Sequence, residues 1–594
     1  LLIRWTFVSD VLRIANCSGF YGDRLSAARE MVEGGPIDVL TGDYLAELTM
    51  AILWRTRSKD ASAGYATTFL TQMEQVLSTC LQRGIKVVSN AGGLNPHGMA
   101  ERLIKLASDL GLRPKVGVVD GDDLMPRLPE FEAGGHRFVN LDTGRPLAGS
   151  GVTPLTANAY LGGFGITEAL KLGADVVITG RVTDAALVIG PAAWRFAWER
   201  DDWDALAGAL VAGHVIECGA QATGGNYSFF KEVPDLHHVG FPLVEMHGDG
   251  TFVVTKHAGT GGLVSIGTVT AQLLYEIGGP AYLNPDVTAR FDTIHLTQEG
   301  ADRVGVNGVR GEPPPPTLKV ALNYLGGYRN GVSFVIPGLD TEEKARLVEE
   351  ALWSAVGGKD QFAEVDRKLL RHDRANPVSN DDAVAELRVT VKDPDPEKVG
   401  KRFTRAGVEL ALAHYPGFML TGPPGEATPY AVYWPTTIPA ALVPARVQVG
   451  DQAAVVSSEA PRGRVEVTPA AVRLPAAPSG PVVSMPLGSV VGARSGDKGG
   501  NANLGVWAIT PEAYAWMESF LTVERLRQLI PESAPLEVER FELPNLLAMN
   551  FVIHGLLGEG VASSTRSDPQ AKTLGEYLRA KIVEIPAALV RKVS

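Results

Sequence analysis

Cysteine is scarce: Cys17, Cys80 and Cys218 are the only three in 594 residues, and they stand far apart. No C-x-x-C pair occurs, so neither a disulfide framework nor a thiolate zinc site is suggested. A reducing, cytoplasmic setting is the expectation. Long apolar runs are also missing. None reaches the ~18–20 residues a membrane helix needs, and residues 1–9, "LLIRWTFVS", are too short for a signal-peptide core with its flanks. Basic charge is outweighed, with 55 Lys and Arg against 67 Asp and Glu and a net charge of −12. That excludes a general nucleic-acid or anionic-membrane surface, though not a local basic pocket.

Several catalytic signatures are absent as well. There is no G-x-x-x-x-G-K-[ST], no H-E-x-x-H and no G-x-S-x-G. "GGFGITE" lacks the last glycine of a dinucleotide fingerprint and does not directly follow a strand. An ordinary P-loop NTPase, Rossmann dehydrogenase, zincin or serine hydrolase is therefore not the expectation.

What the chain has in excess is glycine. Its 66 glycines are about one residue in nine, against a usual ~7%. They cluster in short motifs that read as tight loops. Through residue ~190 short apolar runs alternate with helical periodicity: "VLRIAN" (11–16), "IDVL" (37–40), "IKVVSN" (85–90), "KVGVVD" (115–120) and "ADVVITG" (174–180). "TANAYLGGFGITEALKLG" reads as helical. This alternation predicts an α/β fold with a parallel sheet covered on both faces. Farther on, "TLKVALNYL" (317–325) and "NGVSFVIPG" (330–338) read as two antiparallel strands, and the last ~110 residues as a small α+β sandwich. The expected domains are an α/β core over 1–285, an α+β region over 286–475 and a C-terminal module over 482–594.

Parallel sheets bind ligands beyond the C-terminal ends of their strands, and each predicted strand here ends in a polar, Gly-containing loop. These loops supply the candidate residues. "GFYGDR" offers Tyr21 and Arg24, "TGD" offers Asp43, and "SNAGGLNPHG" offers Asn90 and His97. "TGRVTD" offers Arg181 and Asp184. His97 or Asp43 suits a general acid or base. Asn90 and the backbone of Gly92 and Gly93 suit the role of donors to an enolate oxygen. Arg24 or Arg181 suits a carboxylate clamp. "VVDGDD" places Asp120 and Asp122 at a strand end, which allows a magnesium site and phosphoryl transfer; the opposing reading has Asp122 or Asp123 capping the next helix. "HAGTGG" sets Gly259, Thr260, Gly261 and Gly262 before a predicted helix starting near Leu263, where a backbone nest would hold a phosphate. Lys256 and His257 add charge nearby. Cys218 in "IECGAQ" reads mainly as packing beside a strand. "VGARSGDKGGNANLGVWA" (491–508) reads as a long hairpin loop. Its Arg494, Lys498 and Asn501 would form an anion nest folded back over the main pocket.

The chain resembles the acyclic terpene utilisation AtuA family. The resemblance is carried by "NCSGFYGDRLSAAREMVEGGPIDVLTGDYLAELTM", "NAGGLNPHG", "ITGRVTDAAL", "IECGAQATGGNY", "AGTGGLVS", "LKVALNYLGGYRNGVSF", "GARSGDKGGNANLGVWA" and "LPNLLAMNFVIHGLLGEGVASSTRSDPQAKTLGEYL". It extends over essentially the whole chain. It implies that the C-terminal module is ferredoxin-like and that the protein belongs to acyl-CoA catabolism. Hydration or carbon–carbon cleavage beside a thioester is the expected chemistry. The substrate would be a branched acyl-CoA or its carboxylated derivative, so a coenzyme A thioester enters as substrate and no redox cofactor is called for. Further expectations are a homo-oligomer and contacts with acyl-CoA carboxylase subunits. The alternative in another class is a non-catalytic assembly subunit.

Overall fold

The computed structural model describes residues 10–461 and 463–590, so the short apolar start at residues 1–9 lies outside the described residues. The first six strands are β1 (Val11–Asn16), β2 (Val39–Gly42), β3 (Lys86–Ser89), β4 (Val116–Asp120), β5 (Pro154–Ala159) and β6 (Val176–Thr179). Five of them run parallel side by side in the order β1, β2, β3, β6, β4. Registers such as Ile14 opposite Val39 and Val118 opposite Ile178 put apolar residues on both faces of every strand. That is why these runs are continuously hydrophobic rather than alternating. Helices cover both sides. Ala27–Gly34, Thr67–Arg83 and Pro96–Asp109 bury Met31, Phe69, Met73, Leu103 and their neighbours against Leu40, Val87 and Ile178. Helices Phe164–Lys171, Ala186–Phe196 and Trp203–Ile216 pack on the sheet as a second group.

The sheet is larger than the sequence suggested and is mixed. Antiparallel strands Pro242–His247, Phe252–Lys256, Arg303–Asn307 and His295–Gly300 extend it past β1. On the other flank Ala445–Val449 pairs antiparallel with β4, and Gln452–Val456 follows it. Each flank joins the parallel strands through a long-range pairing: Pro242–His247 meets β1 across more than 200 residues, and Ala445–Val449 meets β4 across more than 300.

Two local expectations are corrected. "TANAY" belongs to strand β5, not to the start of a helix; the helix begins at Phe164. Thr156, Asn158 and Tyr160 find partners there that a helix would deny them, including Asn323 Nδ2 to Thr156 Oγ1 at 3.0 Å and Tyr160 N to the Lys319 carbonyl at 2.9 Å. Residues 317–338 are not a hairpin, for Thr317–Pro337 is one strand of 21 residues. The Gly326–Gly327 pair sits inside the strand, with φ +136° at Gly327. Glycine at such a point marks a bend rather than a reversal.

The described chain divides into two compact units. One comprises residues up to Asn323, Tyr433–Val561 and the segment from Asp568 onward; the other comprises Tyr324–Val432 and Ala562–Ser567. The smaller unit has its own core, in which Phe334, Leu387, Val389, Leu352 and Phe403 are fully buried between strands and the helices Thr341–Val356 and Lys401–Val408. In the larger unit the C-terminal segment forms a four-stranded antiparallel sheet. Its order is Val491–Lys498, Asn501–Ala508, Ala548–Ile553, Val538–Leu543, with helices Pro511–Phe520, Val523–Leu529 and Leu574–Arg579 against it. Val482–Pro486 pairs separately with Ile582–Pro586. Helices Pro511–Phe520 and Val523–Leu529 are separated at Leu521, because Thr522 caps the second through Arg525 N. Among the described residues no helix is long and apolar enough to cross a membrane.

Candidate functional site

The C-terminal ends of the parallel strands bring together Asp43, Asn90, Arg181 and Asp184. Asp43 follows β2 and is buried. Its Oδ1 accepts from Asn90 Nδ2 at 2.7 Å and from Leu45 N at 3.0 Å. Asn90 follows β3 and accepts Tyr44 N at 2.8 Å, so one amide ties two strand ends. Arg181 follows β6. Its guanidinium donates to the Leu45 carbonyl, lies 3.1 Å from Asp184 Oδ1 and stacks over the Tyr160 ring at 4.2 Å. Burial pushes the Asp43 carboxyl well above the usual carboxylate range. The Asp184 charge raises it further, while Arg181 and the Asn90 hydrogen bond pull it back.

A second carboxyl group shares this neighbourhood and was not singled out from the sequence. Glu217 caps the C-terminal end of helix Trp203–Ile216. Its carbonyl, with that of Ile216, is held by Asn16 Nδ2 from the end of β1, at 3.1 and 2.6 Å. Burial pushes the Glu217 carboxyl well above its ordinary value. The charges of Asp184 and Glu276 add to this, and Arg181 and Lys498 oppose it. Beside it, His214 Nδ1 lies 3.4 Å from Glu217 Oε1. His214 is fully buried, with its ring 5.2 Å from Tyr282 and 5.5 Å from Phe291. Burial lowers this imidazole from 6.5 to about 4, so it is neutral near pH 7. The signal for Glu217 was present: helix Trp203–Ile216 is apolar almost all round, and Glu217 is the charged residue that ends it. Its motif looked like the end of a strand, which also misplaced Cys218. That thiol follows a helix, and burial together with Glu217 and Glu276 raises it well above its ordinary range. It is a poor nucleophile in that state.

Residues 491–508 pack against Gln221 and residues 274–276, but not as a long loop. Val491–Lys498 and Asn501–Ala508 pair without interruption from Val491 opposite Ala508 to Lys498 opposite Asn501. The turn is Gly499–Gly500 alone, with φ +65° at Gly499, as the first position of a two-residue hairpin turn requires. The other glycines serve close contact. A Cβ on Gly496 would lie 2.4 Å from the Tyr275 ring, and one on Gly505 2.4 Å from Leu274 Cβ. Asn503 accepts Glu276 N at 2.8 Å and donates to the Leu274 carbonyl at 3.1 Å, while Asn550 donates to the carbonyls of Ile277 and Gly278. Arg494 is buried, bonded to Gln221 Oε1 and stacked 4.2 Å over Tyr275. Lys498 Nζ donates to the Glu276 carbonyl at 3.1 Å. Asn501 turns instead to Asp142 and Gly555 N.

Other candidates lie elsewhere. His97 Nε2 meets Asp120 Oδ2 at 2.6 Å, and Asp120 Oδ1 accepts from Arg446 at 2.7 Å. These three line an open groove of about 580 Å³ with Val118, Val447 and Val455. Asp122 is buried with different partners, Arg181 N at 2.9 Å and Asn158 Nδ2 at 2.8 Å, and burial raises it to about 7. Asp120 and Asp122 are thus not brought to one ligand position. Among the described residues no group of three or more His, Cys, Asp and Glu side chains is arranged to hold a metal ion. Arg24 is engaged by Glu30 at 2.7 Å and the Val239 carbonyl at 2.8 Å, and Tyr21 by Thr67. The Gly259–Gly262 turn is filled from within. Gly261 N donates to the His238 carbonyl, Gly262 N to that of Pro234, and Thr260 Oγ1 to that of His257. Those N–H groups are spent, and the helix starts later, at Ile266, capped by Ser265. Lys256 pairs with Asp302 at 3.0 Å, and His257 Nε2 lies 2.9 Å from the Met31 carbonyl.

A family model described as acyclic terpene utilisation family protein AtuA matches residues 12–449, and one described as AtuA ferredoxin-like domain matches residues 485–584. No curated protein and no solved structure matches the chain.

Proposed function

Because the chain belongs to the acyclic terpene utilisation family, we propose that it is a catabolic enzyme acting on a branched acyl-CoA, or its carboxylated derivative, by hydration or carbon–carbon cleavage beside the thioester. One observation carries this reading. Asp43 is a buried carboxyl that burial pushes well above the usual carboxylate range, oriented by Asn90 and opposed by the Arg181 charge at the strand ends. Both reactions pass through an enolate. They need a group that gives or takes a proton near neutral pH and fixed donors for the developing oxyanion. Arg181 suits the second negative charge that a carboxylated substrate brings.

The purified protein is to be incubated with a branched α,β-unsaturated acyl-CoA and, separately, with a carboxylated 3-hydroxyacyl-CoA. Products are read by mass as a gain of water or a split carbon chain. Turnover of either thioester, lost by about 10²-fold or more in Asp43→Asn, is the expected result. No turnover of any such thioester by the folded wild-type protein overturns the reading.

A further inference from the structure

The groove of about 580 Å³ beside His97 is built by strand register. Asp120, Arg446 and Val455 stand opposite one another across β4, Ala445–Val449 and Gln452–Val456. Val118, Gln448 and Ala453 do so two residues along. Directly opposed residues of antiparallel strands share a face, so these six side chains form two rows on one face of the sheet. All six line the groove. The other face is closed by helix Phe164–Lys171, where a Cβ on Gly165 would lie 2.7 Å from Val119 and 3.2 Å from Ala445. The two rows end in the open. Val455 is 71% exposed, and the Arg446 side chain 65%.

Asp120 is the inner member of its row, with a side chain only 19% exposed. It sets one carboxylate oxygen against each of two neighbours. Oδ2 lies 2.6 Å from His97 Nε2, and Oδ1 accepts from Arg446 Nε at 2.7 Å. Arginine closes on a structural carboxylate most strongly as a two-bond fork. Here Nε alone is engaged, and the terminal Nη groups of Arg446 make no hydrogen bond among the described residues. The guanidinium is thus fixed at its root and open at its tip, beside an exposed valine.

That pairing calls for a ligand with a flat anion at one end and an aliphatic body. Charge narrows the choice of anion. Asp120 pairs with Arg446, and Arg446 also acts on the Asp123 carboxyl, pulling it down against burial. A doubly charged phosphate would meet two carboxylates there. A carboxylate brings a single charge and the planar shape that the fork matches.

We propose that this groove binds an aliphatic monocarboxylate. The carboxylate sits on the Arg446 Nη groups and the chain lies along Val118, Ala453 and Val455. Asp120 is the positioning residue of Arg446, and His97 ties up the second Asp120 oxygen so that the fork stays open. The site is separate from Asp43 and Arg181, and it stands whether or not a thioester turns over there. His97 is its reporter, since it lines both the groove and an adjoining cavity of about 230 Å³.

The full-length protein, labelled with carbon-13 at histidine Cε1, is titrated at pH 7 with sodium octanoate, and the His97 signal is assigned by its loss in His97→Gln. Octanoate is expected to move that signal saturably. Acetate lacks the chain and octanol lacks the anion, and each should bind about tenfold or more weakly; octyl phosphate should also bind more weakly than octanoate. Arg446→Met, which keeps the apolar stem, should weaken octanoate about tenfold or more. Val455→Asp, a surface change on the outermost strand, should do the same, while Asp43→Asn titrates as wild type. No saturable shift overturns the proposal, as does an unchanged midpoint in Arg446→Met or loss of the shift in Asp43→Asn. Octanol or octyl phosphate binding as tightly as octanoate overturns it too, because the groove then does not select a carboxylate.

Discussion

The side-chain amide of Asn90 bridges two strand ends, donating to Asp43 Oδ1 at 2.7 Å while accepting Tyr44 N at 2.8 Å. Both halves of the amide are used, and Asn90 is fully buried. No residue without both a donor and an acceptor can replace it.

Asn90→Leu is expected to lower stability by about 2–4 kcal/mol, since it strands the Tyr44 N–H and one lone pair of Asp43. Asn90→Asp should keep the acceptor for Tyr44 but set a second carboxylate against Asp43. Urea denaturation at pH 7 checks both. The prediction fails if the Leu variant matches wild type in midpoint.

Arg181 opposes the charges of Asp43 and Glu217 and pairs with Asp184. Arg181→Met removes the positive charge and leaves the acids facing one another. Breaking a buried pair on one side costs about 3–5 kcal/mol; Asp184 is one-third exposed, so about 2 kcal/mol is the expectation. Lowering the pH should rescue Arg181→Met relative to wild type, because protonation removes the repulsion. A variant whose deficit is the same at pH 5 and pH 8 would contradict this.

The buried Asp122 and His214 make opposite contributions to the pH dependence of stability. Burial raises Asp122 from 3.8 to about 7, so the folded state holds its proton more tightly than the unfolded chain. Its contribution is complete below about pH 4 and is lost as the pH rises through about 7. Asp122→Asn keeps an acceptor for Asn158 and Arg181 N. It is expected to gain on the order of 3 kcal/mol relative to wild type on going from pH 4 to pH 8. His214 is lowered from 6.5 to about 4. Its contribution is present above about pH 6.5 and is lost as the pH falls toward 4, so His214→Phe should flatten the acid limb. Denaturation midpoints at half-unit steps from pH 4 to pH 8 separate the two.

The hairpin's fit on residues 274–278 depends on a missing side chain. Gly505→Ala would place a Cβ 2.4 Å from that of Leu274, and the contact involves the stem of Leu274 rather than a flexible tip. The expected cost is about 1–3 kcal/mol. Amide exchange should rise at Glu276, whose N–H Asn503 accepts. Gly500→Ala, at the turn, is the control for a general effect on the hairpin; equal exchange at Glu276 in both variants would sink the prediction.

The parallel core was legible because buried parallel strands are short apolar runs with both faces covered, and β1 to β4 and β6 each carry that mark. Asp43, Asn90 and Arg181 were found by the same logic, since they stand immediately beyond such runs. Glu217 and His214 were passed over because their helix is apolar on all sides, so its period is blurred and its end resembles a strand. The hairpin was misjudged for a related reason. Arg494, Ser495 and Gly496 look like a loop by composition, yet glycine there lets a strand lie against Tyr275. The Gly259–Gly262 turn shows the converse. Its composition suits an anion, but His238 and Pro234, remote enough in the chain to escape local reading, already take its N–H groups.

Strand β4 has β6 on one side and Ala445–Val449 on the other, with Asp120 opposite Arg446 in the register. During translation, at roughly 5–20 residues per second, the first of these neighbours arrives within seconds and the second only after tens of seconds. The core sheet therefore spends that interval with an unsatisfied β4 edge of apolar residues outside the ribosome. Chains stalled before Ala445 are expected to be the aggregating species in this protein's biogenesis, and holding chaperones to engage it over that window.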